Sequence, residues 1–163
     1  MKSSVRVRSA ELEDAEGITS VVNSAFRPAE GFFIDEDRID VVSVRNLLNT
    51  GNFLLAEREG VLIGCVYVEP RGHRAYLGLL AVDPERQNSG LGSLLMDAAE
   101  DYCRGLSCHF MDIYAVNLRE ELLGFYRRRG YVETGTSPFP TGIKTKLPVH
   151  FIEMSKPLRE DKK

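Results

Sequence analysis

The spacing of apolar residues changes in a definite order along the chain. At 4–8, "SVRVR" alternates valine with polar residues, the period of a half-buried strand. Over 11–26 the interval lengthens, and Leu12, Ala15, Ile18, Val22 and Ala25 recur at helical spacing. Acidic residues crowd the first turn of that segment, as the positive end of a helix favours. The stretch "RPAEGFFIDEDR" at 27–38, with Pro, Gly and four acids, reads as a loop, and a helix follows over 39–48. "NFLLAEREGVLIGCVYVEP" reads as two strands joined into a hairpin at "EREG". "RAYLGLLAV" is nearly all apolar, which predicts a central strand covered on both faces.

After a loop at 83–90, Leu91, Leu94, Leu95, Ala98 and Tyr102 mark one side of a helix starting near Gly90. "CHFMDIYAV" is a strand. "NLREELLGFYRRRG" is a helix with Leu118, Leu122, Phe125 and Tyr126 on one face; Asn117 is placed to cap it, with Glu120 reaching back, and Gly130 to end it. "YVETG" and "VHFIEMS" close the series as strands, and residues 157–163 form a tail expected to fray. The order β-α-α-β-β-β-α-β-α-β-β predicts a mixed α/β sheet with helices on its faces, in a single domain spanning 1–163.

A length of 163 residues suits one domain with a real core. The net charge of -3 gives no basic excess for nucleic acid, and "YRRRG" is too short to change that. The N-terminus has no apolar signal region and no stretch of 18 apolar residues is long enough to span a membrane, so neither a leader nor a membrane partner is expected. Cys65, Cys103 and Cys108 are scattered without a CxxC pair, which fits a reducing cytoplasm. His73, His109 and His150 lack ligand spacing, so no metal is expected.

One stretch asks for more than packing. "QNSGLGSLL" puts Gly90 and Gly92 where a helix must start, although glycine costs about 1 kcal/mol against alanine in a helix interior. A glycine turn at a helix N-terminus collects free N–H groups and the positive end of the dipole, and lets a phosphate approach bare backbone. There is no GK[ST], so this is not a nucleotide-hydrolysing loop, and no full GxGxxG. A plain strand-to-helix turn is the structural alternative. A nicotinamide-nucleotide domain would need its fingerprint after the first strand, where "SVRVRSAELEDAEG" has one glycine.

In context, "LAVDPERQNSGLGSLL" resembles motif A of the GNAT superfamily of N-acyltransferases, [RQ]xxGx[GA], here Gln87, Asn88, Ser89, Gly90, Leu91 and Gly92. "NLREELLGFYRRRGY" resembles motif B, an Asn followed by a helix bearing FYxxxG[FY]. The resemblance covers nearly the whole chain and is most specific over 79–131. It implies a mixed, mostly antiparallel sheet of about seven strands flanked by about four helices. It implies acetyl-CoA as co-substrate, with its pyrophosphate on 87–93, including Ser93, and its pantetheine arm along the Leu80 and Val82 backbones. Asn117 would also meet that arm. Tyr126 matches the family tyrosine that protonates the departing thiolate; the alternative is an aromatic packed in the core, for which Phe125 is the better candidate.

A general base is less legible. Several family members carry a glutamate where this chain has Tyr76. A neutral tyrosine, with an ordinary pKa of ~10, is a poor base at pH 7; Tyr76 would order a water chain instead. Glu30, Glu69 and His73 are further candidates, each also readable as an exposed loop residue. Cys65 and Cys108 read as buried hydrophobes rather than acyl carriers.

The resemblance thus implies an N-acetyltransferase acting on a small-molecule amine or a peptide N-terminus; the alternative is a non-catalytic module that senses acyl-CoA. A second copy of the chain is a candidate partner. The acidic "RPAEGFFIDEDR", of net charge -2, suggests a cationic acceptor met by that field and by Phe32 and Phe33; a solvated loop is the alternative.

Overall fold

The computed structural model describes residues 4–86 and 89–159. Seven strands form one sheet in the order β1-β2-β3-β4-β5-β7-β6. They are β1 (Arg6–Ser9), β2 (Asn52–Arg58), β3 (Val61–Arg71), β4 (Arg74–Val82), β5 (Phe110–Val116), β6 (Val132–Pro138) and β7 (His150–Pro157). Every neighbouring pair is antiparallel except β4 and β5. Four helices cover the faces: α1 (Ala15–Glu30), α2 (Val41–Thr50), α3 (Leu91–Gly105) and α4 (Glu120–Arg128).

The two-residue period of the central strands divides the core. Phe53, Leu55, Cys65 and Tyr67 point to one face, where they bury Ile18 and Val22 of α1 and Val44 of α2. Leu54, Ala56, Val66 and Val68 point to the other, against Leu95, Met96 and Ala99 of α3 and Leu123 of α4. Continuous apolar runs in β2 and β3 are what a strand covered on both faces requires. The β2–β3 hairpin turns at Glu59 and Gly60, both at positive φ (53° and 77°), which matches the right-handed twist of the flanking strands.

Three local features depart from the sequence reading. Helix α1 does not stop at Phe26; it runs through Pro28 to Glu30. Pro28 lies in the final turn, and its fixed φ is helical, so the missing N–H costs one bond without breaking the helix. Helix α4 starts at Glu120 behind Arg119, and neither Asn117 nor Glu120 caps it. The chain first turns, Arg119 N–H donating to Val116 C=O at 3.0 Å, which carries Asn117 away from the helix end. Asn117 is tied to β7 instead: its Oδ1 accepts from His150 N–H and its own N–H donates to His150 C=O, both at 2.9 Å. Gly130 does end α4, at φ 97°, with Tyr131 N–H reaching Tyr126 C=O and Gly130 N–H reaching Arg127 C=O. Of the tail from 157, Pro157 closes β7 and Leu158 is buried, its N–H on His109 C=O at 2.7 Å and its C=O taking Arg104 Nε at 2.6 Å.

The feature that shapes the site lies in β4. Leu79 adopts φ 52°, a left-handed conformation that costs a non-glycine residue about 1 kcal/mol. Across it, Cys65 faces Ala81 while Tyr67 faces Gly78, so β4 carries one residue more than β3. Such a bulge bends its strand. Residues 74–77 of β4 pair with 110–113 of β5, and beyond Leu77 and Ile113 the pairing ends. The sheet therefore opens into a wedge at its centre.

Candidate active site

The N-terminus of α3 forms one wall of a cleft of about 530 Å³. Gly90 stands before the helix at φ 85°, where a side chain would be strained. Its C=O accepts Leu94 N–H at 3.0 Å, and the N–H groups of Leu91, Gly92 and Ser93 precede the first intrahelical bond. Leu80 and Val82 of β4 floor the cleft, and Phe125 of α4 lies beside Gly92. Three guanidinium groups, Arg86, Arg119 and Arg128, line it against one carboxylate, Glu121, whose Oε1 is 2.7 Å from Arg119 Nε. The buried Nε of Arg86 makes no hydrogen bond among the described residues. A polyanion is the ligand that this donor set fits. Ser89 is exposed, and Gln87 and Asn88 lie outside the described residues. Asn117 does not line the cleft.

Behind the cleft, a cavity of about 50 Å³ occupies the wedge between β4 and β5. It shares Phe26, Leu80 and Leu122 with the cleft. On the other side it shares Arg38, Tyr76 and Leu79 with a second cavity of about 560 Å³, between α2 and the open end of β4. Tyr126 and Tyr76 both line the wedge. Tyr126 is 3% exposed, and burial pushes its hydroxyl well above the ordinary tyrosine value. That hydroxyl makes no hydrogen bond among the described residues. Phe125 lines the cleft beside Gly92 and packs against the edge of the core, while Tyr126 is buried in the core and borders the wedge. Tyr76 is also raised by burial, against the pull of Arg38 and Arg71, and the Arg71 guanidinium lies 4.7 Å from its ring centre. Its hydroxyl lies over Gly78, where an added side-chain carbon would fall 2.4 Å from it. A tyrosine of raised pKa stays the neutral phenol at pH 7 and offers still less of the phenolate that could accept a proton.

The other candidate bases separate sharply. His73 is exposed on the β3–β4 turn. Glu69 belongs to β3, where it accepts from the Tyr67 hydroxyl at 2.6 Å and from Arg71 Nε at 2.6 Å, and these partners hold its carboxyl below the usual range. Glu30 is not an exposed loop residue. It is 6% exposed at the end of α1, lines the wedge, and meets Arg119 Nη1 at 3.2 Å. Burial raises its pKa despite the opposing pull of Arg38 and Arg119. Burial pushes the Cys65 and Cys103 thiols up to about 12 and raises that of Cys108 as well, which disfavours the nucleophilic thiolate.

The acidic segment between α1 and α2 is less charged in effect than in sequence. Asp35 pairs with Lys146 Nζ at 2.8 Å and Asp37 with Arg27 Nη2 at 2.8 Å. Phe33 is fully buried against Val116 and the segment joining β6 to β7, leaving Phe32 as the exposed ring. Among the described residues, no group of three His, Cys, Asp or Glu is arranged to hold a metal ion, and no helix is long and apolar enough to cross a membrane.

Sequence reasoning missed the arginine lining, the bulge at Leu79 and the burial of Glu30. A signal existed for the last. Val22, Phe26 and Glu30 follow at i, i+4 and i+8, so extending α1 through Pro28 places Glu30 on the inward stripe.

Comparison with known proteins agrees with this geometry. The chain is 31% identical over 127 residues to mycothiol acetyltransferase of Acidimicrobium ferrooxidans, covering 74% of this chain and 41% of that protein. It thus spans less than half the length of that relative. The ribosomal-protein-S18-alanine N-acetyltransferase of Escherichia coli superposes with a TM-score of 0.77 at 15% identity, over 98% of this chain and 97% of that one. PaiA N-acetyltransferase of Thermoplasma acidophilum, solved in complex with coenzyme A, superposes with a TM-score of 0.74 at 19% identity, over 94% of this chain and 99% of that one. At these identities the structures speak for the fold; a model of the acetyltransferase (GNAT) family matches residues 16–131, and with motif, sheet and wedge in agreement the chain belongs to that family.

Proposed function

We propose that the chain transfers the acetyl group of acetyl-CoA to a primary amine, of a small molecule or a peptide N-terminus, by direct attack within a ternary complex. One observation carries this reading: the wedge shares walls with an arginine-lined cleft on one side and with a second cavity on the other, and a buried tyrosine borders it. Two substrates entering from opposite sides would meet there, and such positioning supplies a large part of catalysis.

Acetyl-CoA supplies an activated thioester. In this reading the N–H groups at the start of α3, with Gln87, Asn88, Ser89 and Ser93, bind its pyrophosphate, and Arg86 and Arg128 add charge. Leu80 and Val82 flank the pantetheine arm where β4 has left β5. Tyr126 keeps its proton at neutral pH, because burial disfavours the phenolate, and gives it to the departing sulfur. Tyr76 takes the role of ordering water at the acceptor side. The acceptor enters past Tyr67, Tyr76 and Leu79.

A thiol-release assay tests this, with acetyl-CoA and three primary amines: L-alaninamide, L-glutamate and putrescine. Turnover above the chemical background with at least one supports the reading. Tight CoA binding without turnover of any would make the chain a sensor of acyl-CoA.

A further inference from the structure

Among the described residues, the wedge cavity has one carboxylate in its wall, Glu30. We propose that Glu30, held by Arg119, is the group that accepts the proton of the attacking amine; this rests on the transfer reading above.

The placement argues for it. Glu30 ends α1 and borders the wedge, and the same residue borders a smaller cavity between α1 and the α1–α2 segment. Glu30 therefore stands between the wedge and that cavity on its far side. The wedge volume of about 50 Å³ is enough for a bridging water, whose share of the liquid is about 30 Å³. Arg119 fixes the carboxylate from one side, and both side chains are largely withdrawn from solvent, at 12% and 7% exposed. The charged and titratable groups around Glu30 are Arg27 in the last turn of α1, Arg119 and Glu121 at the start of α4, Arg38, Asp35 and Glu36 between α1 and α2, and Tyr76, Tyr114 and Tyr126 across the wedge. Burial outweighs the two arginines, so the carboxylate is more basic than an ordinary one. A base of that kind suits a proton that must leave before attack.

The step balances. An ammonium N–H bond breaks and its proton passes to Glu30. The freed nitrogen pair forms the N–C bond to the thioester carbonyl. The C–S bond breaks with its pair on sulfur, which takes the Tyr126 proton. Tyr126 recovers a proton from the nitrogen as the amide forms, and Glu30 releases its own to solvent. One proton is produced for each ammonium acetylated.

The test is the pH dependence of kcat/KM for Glu30→Gln and Glu30→Asp beside the parent, with L-alaninamide, L-glutamate and putrescine as acceptors. Affinity for CoA and the melting temperature are followed in parallel. The expected result for Glu30→Gln is a loss of about 100-fold at pH 7, with CoA affinity within threefold of the parent. The deficit should shrink as pH rises, because hydroxide and the free amine replace the lost base. Glu30→Asp keeps the charge one carbon further back and should fall between the two, which carries the test if the glutamine variant does not fold. A deficit constant across pH, or kcat/KM within threefold of the parent, overturns the role of Glu30 and leaves acetyl transfer standing. A parent that turns over none of the three amines overturns the transfer reading, and this proposal with it.

Discussion

Replacing Gly92 by alanine should stabilise the free protein and weaken its hold on CoA, two effects of opposite sign from one methyl group. Gly92 is the second residue of α3 and has an ordinary helical backbone, so alanine enters without strain. The new carbon would lie 3.5 Å from Phe125 Cζ, an ordinary contact. Alanine is better than glycine in a helix by about 0.5–1 kcal/mol, and the lower figure suits a first-turn position. For a domain of this size that is a rise of roughly 1–2 °C in melting temperature. The same methyl projects where the cleft wall is bare backbone. If it denies a phosphate one charged hydrogen bond, the loss is about 1.5–3 kcal/mol, or about 10- to 100-fold in Kd. Gly105→Ala, at the far end of α3 with open space around it, should gain similar stability and bind CoA normally. Thermal unfolding without ligand and calorimetry with CoA read the two effects separately. If Gly92→Ala binds CoA as the parent does, the cleft does not hold the pyrophosphate. A melting temperature several degrees lower would mean that the contact with Phe125 is misjudged.

Gly90→Val forces a β-branched residue to φ 85° and should cut CoA affinity more severely; an unchanged Kd by calorimetry would refute this. Tyr126→Phe should lower kcat by about 100-fold with melting temperature unchanged, since its hydroxyl has no protein partner among the described residues; an equal kcat makes Tyr126 a packing residue. Neutralising Asp35, Glu36 and Asp37 together should change kcat/KM for putrescine by less than about tenfold, because Lys146 and Arg27 already offset two of them; a larger, salt-sensitive loss would restore electrostatic selection of cations. Arg8 holds Asp14 and Glu57 below their ordinary values of 3.8 and 4.5, so their contribution is present above those values and lost as pH falls through the lowered ones. Arg8→Gln should therefore cost about 1 kcal/mol in urea unfolding at pH 7, and the cost should shrink steadily as pH falls below the ordinary carboxylate range; a penalty independent of pH would argue against the pairs.

The architecture was largely legible because periodicity reports it directly. The alternation in β1, the double-faced run of β2 and β3, and the stripes of α1, α3 and α4 all depend on neighbours two to four residues apart. The glycines at the start of α3 were legible for a related reason: the positive φ of Gly90 and a bare helix end at Gly92 favour that residue type locally. What was not legible arises from contacts between distant segments. Nothing around Asn117 announces that His150 will take its side chain. Phe125 and Tyr126 are adjacent in sequence, and it is the packing of α4 on the sheet and on α3 that buries Tyr126 and leaves Phe125 beside the cleft. Glu30 was hidden by a rule applied too strictly. Pro28 suggested a break, yet a proline in a last turn removes a single bond, and the packing of Phe33 and Ile34 behind it holds the chain in place.

The bulge at Leu79 links these observations. A central strand buried on both faces has every reason to stay regular, since each lost pair leaves backbone groups to be satisfied elsewhere. Here β4 instead tolerates a left-handed leucine, worth about 1 kcal/mol, and gives up its pairing with β5 beyond Leu77. The strain is retained where the sheet opens between an arginine-lined cleft and a second cavity, with Tyr126 and Glu30 on its walls. Stability alone would favour a closed ladder filled by side chains. A chain that keeps the wedge open carries this irregular backbone where two substrates would need to meet, which is why the bulge belongs with the site rather than with the scaffold.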